Sequence, residues 1–142
     1  MPGADPVTVR PVRSADEADL ERLQSHLPEP SPALLSYGVT AGSVLVTTGP
    51  ADRPVGYLLA VSGEQTHLAE LVVAPAYRRE GRASALLAEL FERLPEGQRV
   101  TLAVAPDNQA ALALYREHGF EHEETRPDFF AGGAALLLAR EA

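Results

Sequence analysis

Residues 73–83, VAPAYRREGRA, decide the interpretation of this 142-residue sequence. An apolar and β-branched run ends at Val73, and Pro75 stops that strand because proline has no N–H group to donate to a sheet. From Ala83 onward, apolar residues recur every three and four positions, which predicts an amphipathic helix that ends at Pro95. The stretch therefore joins the end of a strand to the start of a helix.

This strand-to-helix turn has the composition of an anion-binding loop. The first N–H groups of an α-helix have no partner inside the helix, and the helix dipole adds positive potential. Gly81 and Ala83 leave room for phosphates to approach the backbone. Charged donors come from Arg78, Arg79 and Arg82. Because the spacing matches neither the Gly-x-Gly-x-x-Gly loop nor a P-loop, the turn predicts a diphosphate site outside those two folds.

The sequence before this turn predicts a strand, two helical segments and a block of strands. The first strand covers residues 7–10, and a capping box of Ser14 and Glu17 precedes a helical stripe of Leu20, Leu23 and Leu27. Nearby prolines limit the second helix to a short piece at residues 33–37. Strands at residues 43–48 and 54–61 are predicted to form an antiparallel hairpin, followed by a strand at residues 66–73.

After the central helix, the sequence predicts a second strand-to-helix unit and two closing strands. A strand at residues 100–105 precedes a helix that Asp107 or Asn108 caps and that ends at Gly119. The closing strands are predicted at residues 120–126 and 134–140, around a loop at residues 129–133. The order of elements places the chain in the α/β class.

Composition narrows the classes of function. A chain of 142 residues with 45% hydrophobic residues fits a single domain, which we predict for residues 1–142. The net charge of −8 disfavours nucleic acids and anionic membranes. Residues 1–5 carry no signal-like pattern and no apolar run is long enough to span a bilayer, so we expect a cytoplasmic protein. No cysteine is present, and the histidines do not group with carboxylates, so neither a thiol nucleophile nor a metal site is predicted.

Two motifs, in order along the chain, resemble those of the GNAT acetyltransferase superfamily. The first is Val73-x-Pro75-x-Tyr77-Arg78-x-x-Gly81-x-Ala83, which resembles the coenzyme A motif of that superfamily. The second is Asn108-x-x-Ala111-x-x-Leu114-Tyr115-x-x-x-Gly119-Phe120. The sequence match covers residues 68–122, and the order of elements is similar over essentially the whole chain.

The resemblance implies a fold and a cosubstrate. The implied GNAT fold is a mixed, splayed sheet of six or seven strands with helices on both faces. The implied cosubstrate is acetyl-CoA, whose pantetheine arm would pair with the strand before the turn and whose pyrophosphate would rest on the turn. The residues implied to bind it are Leu71, Val72, Val73, Arg78, Arg79, Gly81, Arg82, Ala83, Ser84, Asn108 and Tyr115.

The resemblance also implies a catalytic acid and leaves the base open. Tyr115 occupies the position of the family's usual general acid, which protonates the departing thiolate. Two residues are candidates for the base. Glu70 lies on the opposite pleat from Leu71, so it is expected on the acceptor side, either as the base or as an anchor for a cationic substrate. His67 has a side chain that ionises near neutral pH. Members of the family that acetylate protein N-termini commonly have glutamate where this chain has Ala103, which weakens a ribosomal-protein-type acceptor.

The predicted function is therefore an enzyme that transfers the acetyl group of acetyl-CoA to a primary amine of a small molecule or peptide. A second interpretation keeps the fold as a coenzyme A-binding regulatory or interaction module with little or no catalysis. A third is a nucleotide-phosphate binder, which would bind ATP or NAD with an affinity that survives competition by coenzyme A. Dimers are common in the family, and the sequence leaves a homodimer open.

Overall fold

The computed structural model describes residues 7–130 and 133–142, which form seven strands and four α-helices. Residues 1–5, in which the sequence shows no signal-like pattern, lie outside the described residues. The strands are β1 (Thr8–Pro11), β2 (Val44–Thr48), β3 (Pro54–Ser62), β4 (Thr66–Val73), β5 (Arg99–Val104), β6 (Glu121–Phe130) and β7 (Gly133–Glu141). The helices are α1 (Glu17–Gln24), α2 (Pro32–Ala41), α3 (Arg82–Arg93) and α4 (Gln109–Glu117).

The seven strands belong to a mixed sheet with the order β1-β2-β3-β4-β5-β7-β6. This confirms the predicted α/β class and the seven-strand form of the predicted sheet. The backbone divides into two compact units. The single domain predicted for residues 1–142 stays a prediction. Among the described residues, no helix is long and apolar enough to cross a bilayer.

The first unit contains Glu70–Arg93 together with the described residues up to Ala60. Here β2 pairs antiparallel with β1 and with β3, which confirms the predicted hairpin. At Gly56 of β3, an added Cβ would meet the carbonyl oxygen of Val72 at 2.8 Å. Only glycine allows this close approach of the two backbones. The core of the unit includes the fully buried side chains of Leu20, Leu35, Leu59, Leu86 and Leu87.

Two predictions for the N-terminal helices are corrected by the structure. Ser14 does not cap α1; instead the carboxylate of Asp16 accepts a hydrogen bond from the Arg13 N–H at 2.8 Å, within a short 3-10 turn before the helix. The second helix is longer than the predicted residues 33–37. Ser31 caps it and a proline occupies its first turn, where the missing N–H group costs nothing.

The second unit contains Val61–Ala69 and the described part of Leu94–Ala142. The first two residues of β4, Thr66 and His67, pair in parallel with Val100 and Thr101 of β5. β7 pairs antiparallel with both β5 and β6. The parallel pair makes the sheet mixed, as predicted.

The closing strands are longer than predicted. Phe129 and Phe130 end β6 and Gly133 begins β7, although these residues were predicted to lie in a loop; residues 131–132 of that loop lie outside the described residues. Almost every residue of β6 is exposed, and its sequence accordingly shows no alternation of apolar and polar residues. Its pairing with β7, rather than its pattern, makes it a strand.

Candidate active site

The turn after β4 is anchored at its first residues. The N–H group of Ala74 donates to the carbonyl oxygen of Val55 at 2.8 Å, and the N–H group of Tyr77 donates to that of Ala74 at 2.9 Å. The Nε of Arg78 donates to the carbonyl oxygen of Val73 at 2.9 Å. These bonds fix the backbone where the strand ends and the predicted anion-binding loop begins.

The next residues have the backbone geometry that an anion-binding loop requires. Arg79 has a φ of +64° and Gly81 a φ of +78°, both in the left-handed region. A Cβ added at Gly81 would meet no atom within 4 Å, so the space beside this glycine is open. The N–H group of Ala85 donates to the carbonyl oxygen of Gly81. The N–H groups of the first turn of α3 precede that bond and are available to an anion.

The three arginines of the turn differ in what they contact. The side chain of Arg82 is 12% exposed and donates to Thr47 Oγ1 and to the carbonyl oxygen of Thr48, each at 2.9 Å. It also pairs with Glu80 and lies 5.3 Å from the centre of the Tyr77 ring. Arg82 therefore joins α3 to β2, whereas the residues Arg78 and Arg79 are exposed.

Glu70, a candidate base, lies in β4 with a residue exposure of 8%. Its Oε1 accepts a hydrogen bond from the Tyr57 hydroxyl at 2.8 Å. The Nε2 of Gln24 donates to both carboxylate oxygens, at 3.2 and 3.1 Å. Burial and the neighbouring negative charge of Glu70 raise the pKa of Tyr57 far above its ordinary value, so the phenol remains a donor. The carboxylate is thus held by two neutral donors.

His67, the other candidate base, lies at the start of β4 in the second unit. Its Nδ1 is 3.0 Å from the hydroxyl oxygen of Thr101, its partner residue in β5. Although the residue is exposed, desolvation of the ring against the sheet lowers its pKa below the ordinary value. The imidazole is therefore neutral at neutral pH.

Tyr115, the candidate acid, lies in the second unit on α4, which Asn108 caps through a bond from the Ala111 N–H to Oδ1 at 3.2 Å. The ring meets that of Phe120 edge to face, with centroids 5.6 Å apart. Burial raises the pKa of Tyr115 to about 12. The phenol therefore keeps its proton at neutral pH, which suits a proton donor rather than a base.

In β5 of the second unit, alanine occupies the position where N-terminal acetyltransferases of the family commonly have glutamate. Ala103 is half-buried there and pairs with Leu137 of β7. In the described residues, 7–130 and 133–142, no group of histidines and carboxylates is arranged to hold a metal ion.

Sequence reasoning missed two residues that contact Glu70. Gln24 follows Leu20 by four residues, so it shares the buried face of α1 with the leucines, and a polar residue on such a face was the available signal. Tyr57 gave no signal, because it stands within the apolar run of β3.

Comparison with known proteins identifies the family. The acetyltransferase (GNAT) family matches residues 12–120, and the chain belongs to that family. This confirms the resemblance carried by the two motifs.

The curated relatives match this chain over part of their own length, whereas the solved structures match it over nearly all of theirs. The chain is 39% identical over 72 residues to N-alpha-acetyltransferase RimI of Mycobacterium tuberculosis, a match that covers 49% of this chain and 45% of RimI. It covers between 20% and 57% of the curated relatives that it matches.

Solved structures have the same fold at lower identity. Ard1 of Thermoplasma volcanium superimposes with a TM-score of 0.84 at 24% identity, covering 96% of this chain and 97% of Ard1. NAA60 of Arabidopsis thaliana in complex with acetyl-CoA superimposes with a TM-score of 0.81 at 20% identity, covering 96% of this chain and 98% of NAA60.

Proposed function

We propose that the protein is an N-acetyltransferase that uses acetyl-CoA as cosubstrate and a primary amine as acceptor. The observation that carries the proposal is the turn after β4. The chain belongs to the GNAT family, and this turn leaves open space beside Gly81 and presents the first N–H groups of α3 to an anion.

The proposed cosubstrate site combines backbone and side-chain groups. The pyrophosphate is bound by the N–H groups around Arg79 and Gly81 and by those of Arg82, Ala83 and Ser84 at the start of α3. The exposed arginines Arg78 and Arg79 add charge. The bonds of Arg82 to β2 support a role in holding the helix start, with its backbone N–H group as the ligand. Pantetheine pairs with the backbone of Leu71, Val72 and Val73, and Asn108 contributes from the α4 cap.

In the proposed reaction, a neutral amine attacks the thioester carbonyl carbon of acetyl-CoA. A nitrogen–carbon bond forms and the carbon–sulfur bond breaks. Glu70 or His67 first takes one proton from the incoming ammonium, which gives the neutral amine. The phenol of Tyr115 gives its proton to the departing thiolate, and the Tyr115 oxygen takes the second proton that the nitrogen loses as the amide forms. A backbone N–H group near Val73 polarises the carbonyl. Tyr115 meets the first requirement of this assignment, since its phenol is protonated at neutral pH before the reaction begins.

The acceptor class has support from the names of two curated relatives, RimI and N-alpha-acetyltransferase 20 of Dictyostelium discoideum. RimI is named an N-alpha-acetyltransferase, which favours the α-amino group of a peptide. The alanine at position 103 and the net charge of −8 keep cationic small molecules such as polyamines as the second acceptor class. The predicted cytoplasmic location and the homodimer left open by the sequence stay predictions.

The first experiment is calorimetric titration of the protein with acetyl-CoA. An Arg79→Glu/Gly81→Glu variant is expected to lose binding, because it places carboxylates in the proposed phosphate site. Arg126→Glu/Gly97→Glu is the matched control. It makes the same charge change, and Gly97 also has a positive φ and open space around it. The control is expected to bind like the native protein. Absence of native binding, or equal loss in both variants, contradicts the proposed site.

The second experiment measures thiol release from acetyl-CoA in the presence of an alanine-initiated peptide, spermidine or free lysine. The 12 basic residues are all arginine, so acetylation of lysine side chains in the enzyme cannot contribute. Tyr115→Phe is expected to lower turnover about 100-fold with unchanged acetyl-CoA binding. Binding without any thiol release would favour the regulatory module. Binding of ATP that survives excess coenzyme A would favour the nucleotide binder.

A further inference from the structure

Glu70 stands out among the buried carboxylates of the first unit. Burial of an ionised carboxylate is costly unless a cation or several donors compensate it. In the described part of the chain, no arginine forms an ion pair with Glu70, and its bonded partners are the phenol of Tyr57 and the amide of Gln24. The carboxylate of Glu70 therefore has no positive partner among the described residues.

Gln24 connects this carboxylate to the start of α2. One amide group, Nε2, donates both to Glu70 and to the carbonyl oxygen of Ser31 at 2.9 Å. Ser31 is the N-cap of α2 and accepts a bond from the Leu34 N–H. Residues 24 and 70 are 46 positions apart, so a single side chain fixes the carboxylate and the end of the α1–α2 connection together.

We propose that Tyr57 and Gln24 are positioning residues for the acceptor amine: they hold the carboxylate of Glu70 as the group that receives the ammonium and takes its proton. This inference rests on the proposed function and selects Glu70 over His67. Tyr57 and Gln24 supply neutral hydrogen-bond donors. The ammonium of the acceptor therefore supplies the positive charge that balances the carboxylate of Glu70. The ammonium transfers one proton to the carboxylate, and the resulting neutral amine attacks the thioester.

The contrast with His67 supports this selection. The ring nitrogen Nδ1 of His67 is engaged with Thr101 at the first paired residues of β4 and β5. His67 is exposed, so solvent can stabilise the charged form of its ring without a bound partner ion. Glu70 is 8% exposed, so solvent stabilises its charge less, and among the described residues no arginine pairs with it.

Two substitutions test the positioning role. Tyr57→Phe removes one hydroxyl and keeps the ring, and Gln24→Met removes both the bond to Glu70 and the bond to Ser31. The matched controls make the same chemical changes at exposed positions, Tyr37→Phe and Gln65→Met. The rate of thiol release with the alanine-initiated peptide is measured against pH for all four variants and the native protein.

We expect kcat/KM for the peptide to fall about 10-fold in each test variant, with acetyl-CoA binding unchanged. Loss of a donor disfavours the charged form of the group that takes the proton, so the acidic limb of the kcat/KM profile should move to higher pH. The controls should follow the native profile. In Gln24→Met, amide exchange at residues 25–31 should also accelerate, since the bond to Ser31 is lost.

The outcomes separate the inference from the proposed function. If the native protein binds acetyl-CoA but releases no thiol with any of the three amines, the proposed function fails and the inference fails with it. If the native protein turns over the peptide and both test variants keep the native acidic limb, the inference alone is overturned. A lower rate with an unmoved limb means that Tyr57 and Gln24 only stabilise the fold. If Tyr57→Phe does not fold, the profile of Gln24→Met decides.

Discussion

Asp16 and Glu70 are two buried carboxylates of the same unit with opposite surroundings. Their exposures are similar, 6% for Asp16 and 8% for Glu70. Asp16 accepts two bonds from the guanidinium of Arg10, at 2.8 and 3.1 Å, and one from the backbone N–H of Arg13. Among the described residues, the donors to Glu70 are a phenol and an amide.

The difference distinguishes a carboxylate that stabilises the fold from one that is suited to accept a proton from a substrate. Burial raises the pKa of Asp16, but the bonds from Arg10 and Arg13 and the positive charge outweigh it, so the net pKa is lowered. The ionised form of Asp16 is thereby fixed, and its charge is neutralised within the fold. For Glu70, the proposed cation is the ammonium of the acceptor amine. We therefore expect substitution of Asp16 to affect stability and substitution of Glu70 to affect turnover.

The largest expected effect is on the unfolding free energy of Asp16→Asn. The substitution removes the buried carboxylate that accepts two bonds from Arg10 and leaves the guanidinium with the half-exposed Asp52 as its ion-pair partner, so the variant should lose about 3 kcal/mol at neutral pH. Because the folded pKa of Asp16 is lowered, its contribution is present above the unfolded pKa, near pH 4, and is lost as the pH falls through the folded value.

Urea unfolding at pH 7 and near pH 3 measures this effect. The gap between native and variant should be wide at pH 7 and narrow near pH 3, while acetyl-CoA binding by the folded variant stays unchanged. A gap that is equal at both pH values would mean that the charge of Asp16 does not stabilise the fold.

Glu70→Gln should give the opposite pattern. Exchange of the carboxylate for an amide keeps the shape and removes a buried charge, so the unfolding free energy should change by about 1 kcal/mol or less. Turnover of the peptide should fall about 100-fold, because the amide cannot accept the proton. Urea unfolding and thiol release on the same preparation test both parts. A large loss of stability with native turnover would reverse the comparison between the two carboxylates.

The sequence predicted the elements whose signals are local. The amphipathic period predicted α3, and the apolar run before Pro75 predicted β4 with its observed limits. Asn108 was one of two predicted caps, and its side chain does cap α4. These features depend on residues a few positions apart, which a sequence shows directly.

Contacts between distant residues were not predictable in this way. Arg82 was assigned to phosphate binding from its place in the turn, yet its guanidinium bonds to Thr47 and Thr48, more than 30 positions earlier. Likewise, Gln24 and Tyr57 acquire their roles only when the fold brings them to Glu70. The strand-to-helix turn was therefore predictable in outline, and the surroundings of the candidate base were not.

The smallest expected effect comes from Asp52, the exposed counterpart of Asp16. Both aspartates pair with Arg10, but the Asp52 side chain is 48% exposed, and it also pairs with Arg13. The bond from Arg10, opposed by desolvation and aided by Arg13, lowers the pKa of Asp52. Solvent and salt screen an exposed pair, so Asp52→Asn should destabilise far less than Asp16→Asn, and its effect should vanish in about 0.5 M NaCl. If the two substitutions cost the same in urea unfolding at low salt, burial would not explain why Asp16 stabilises the fold.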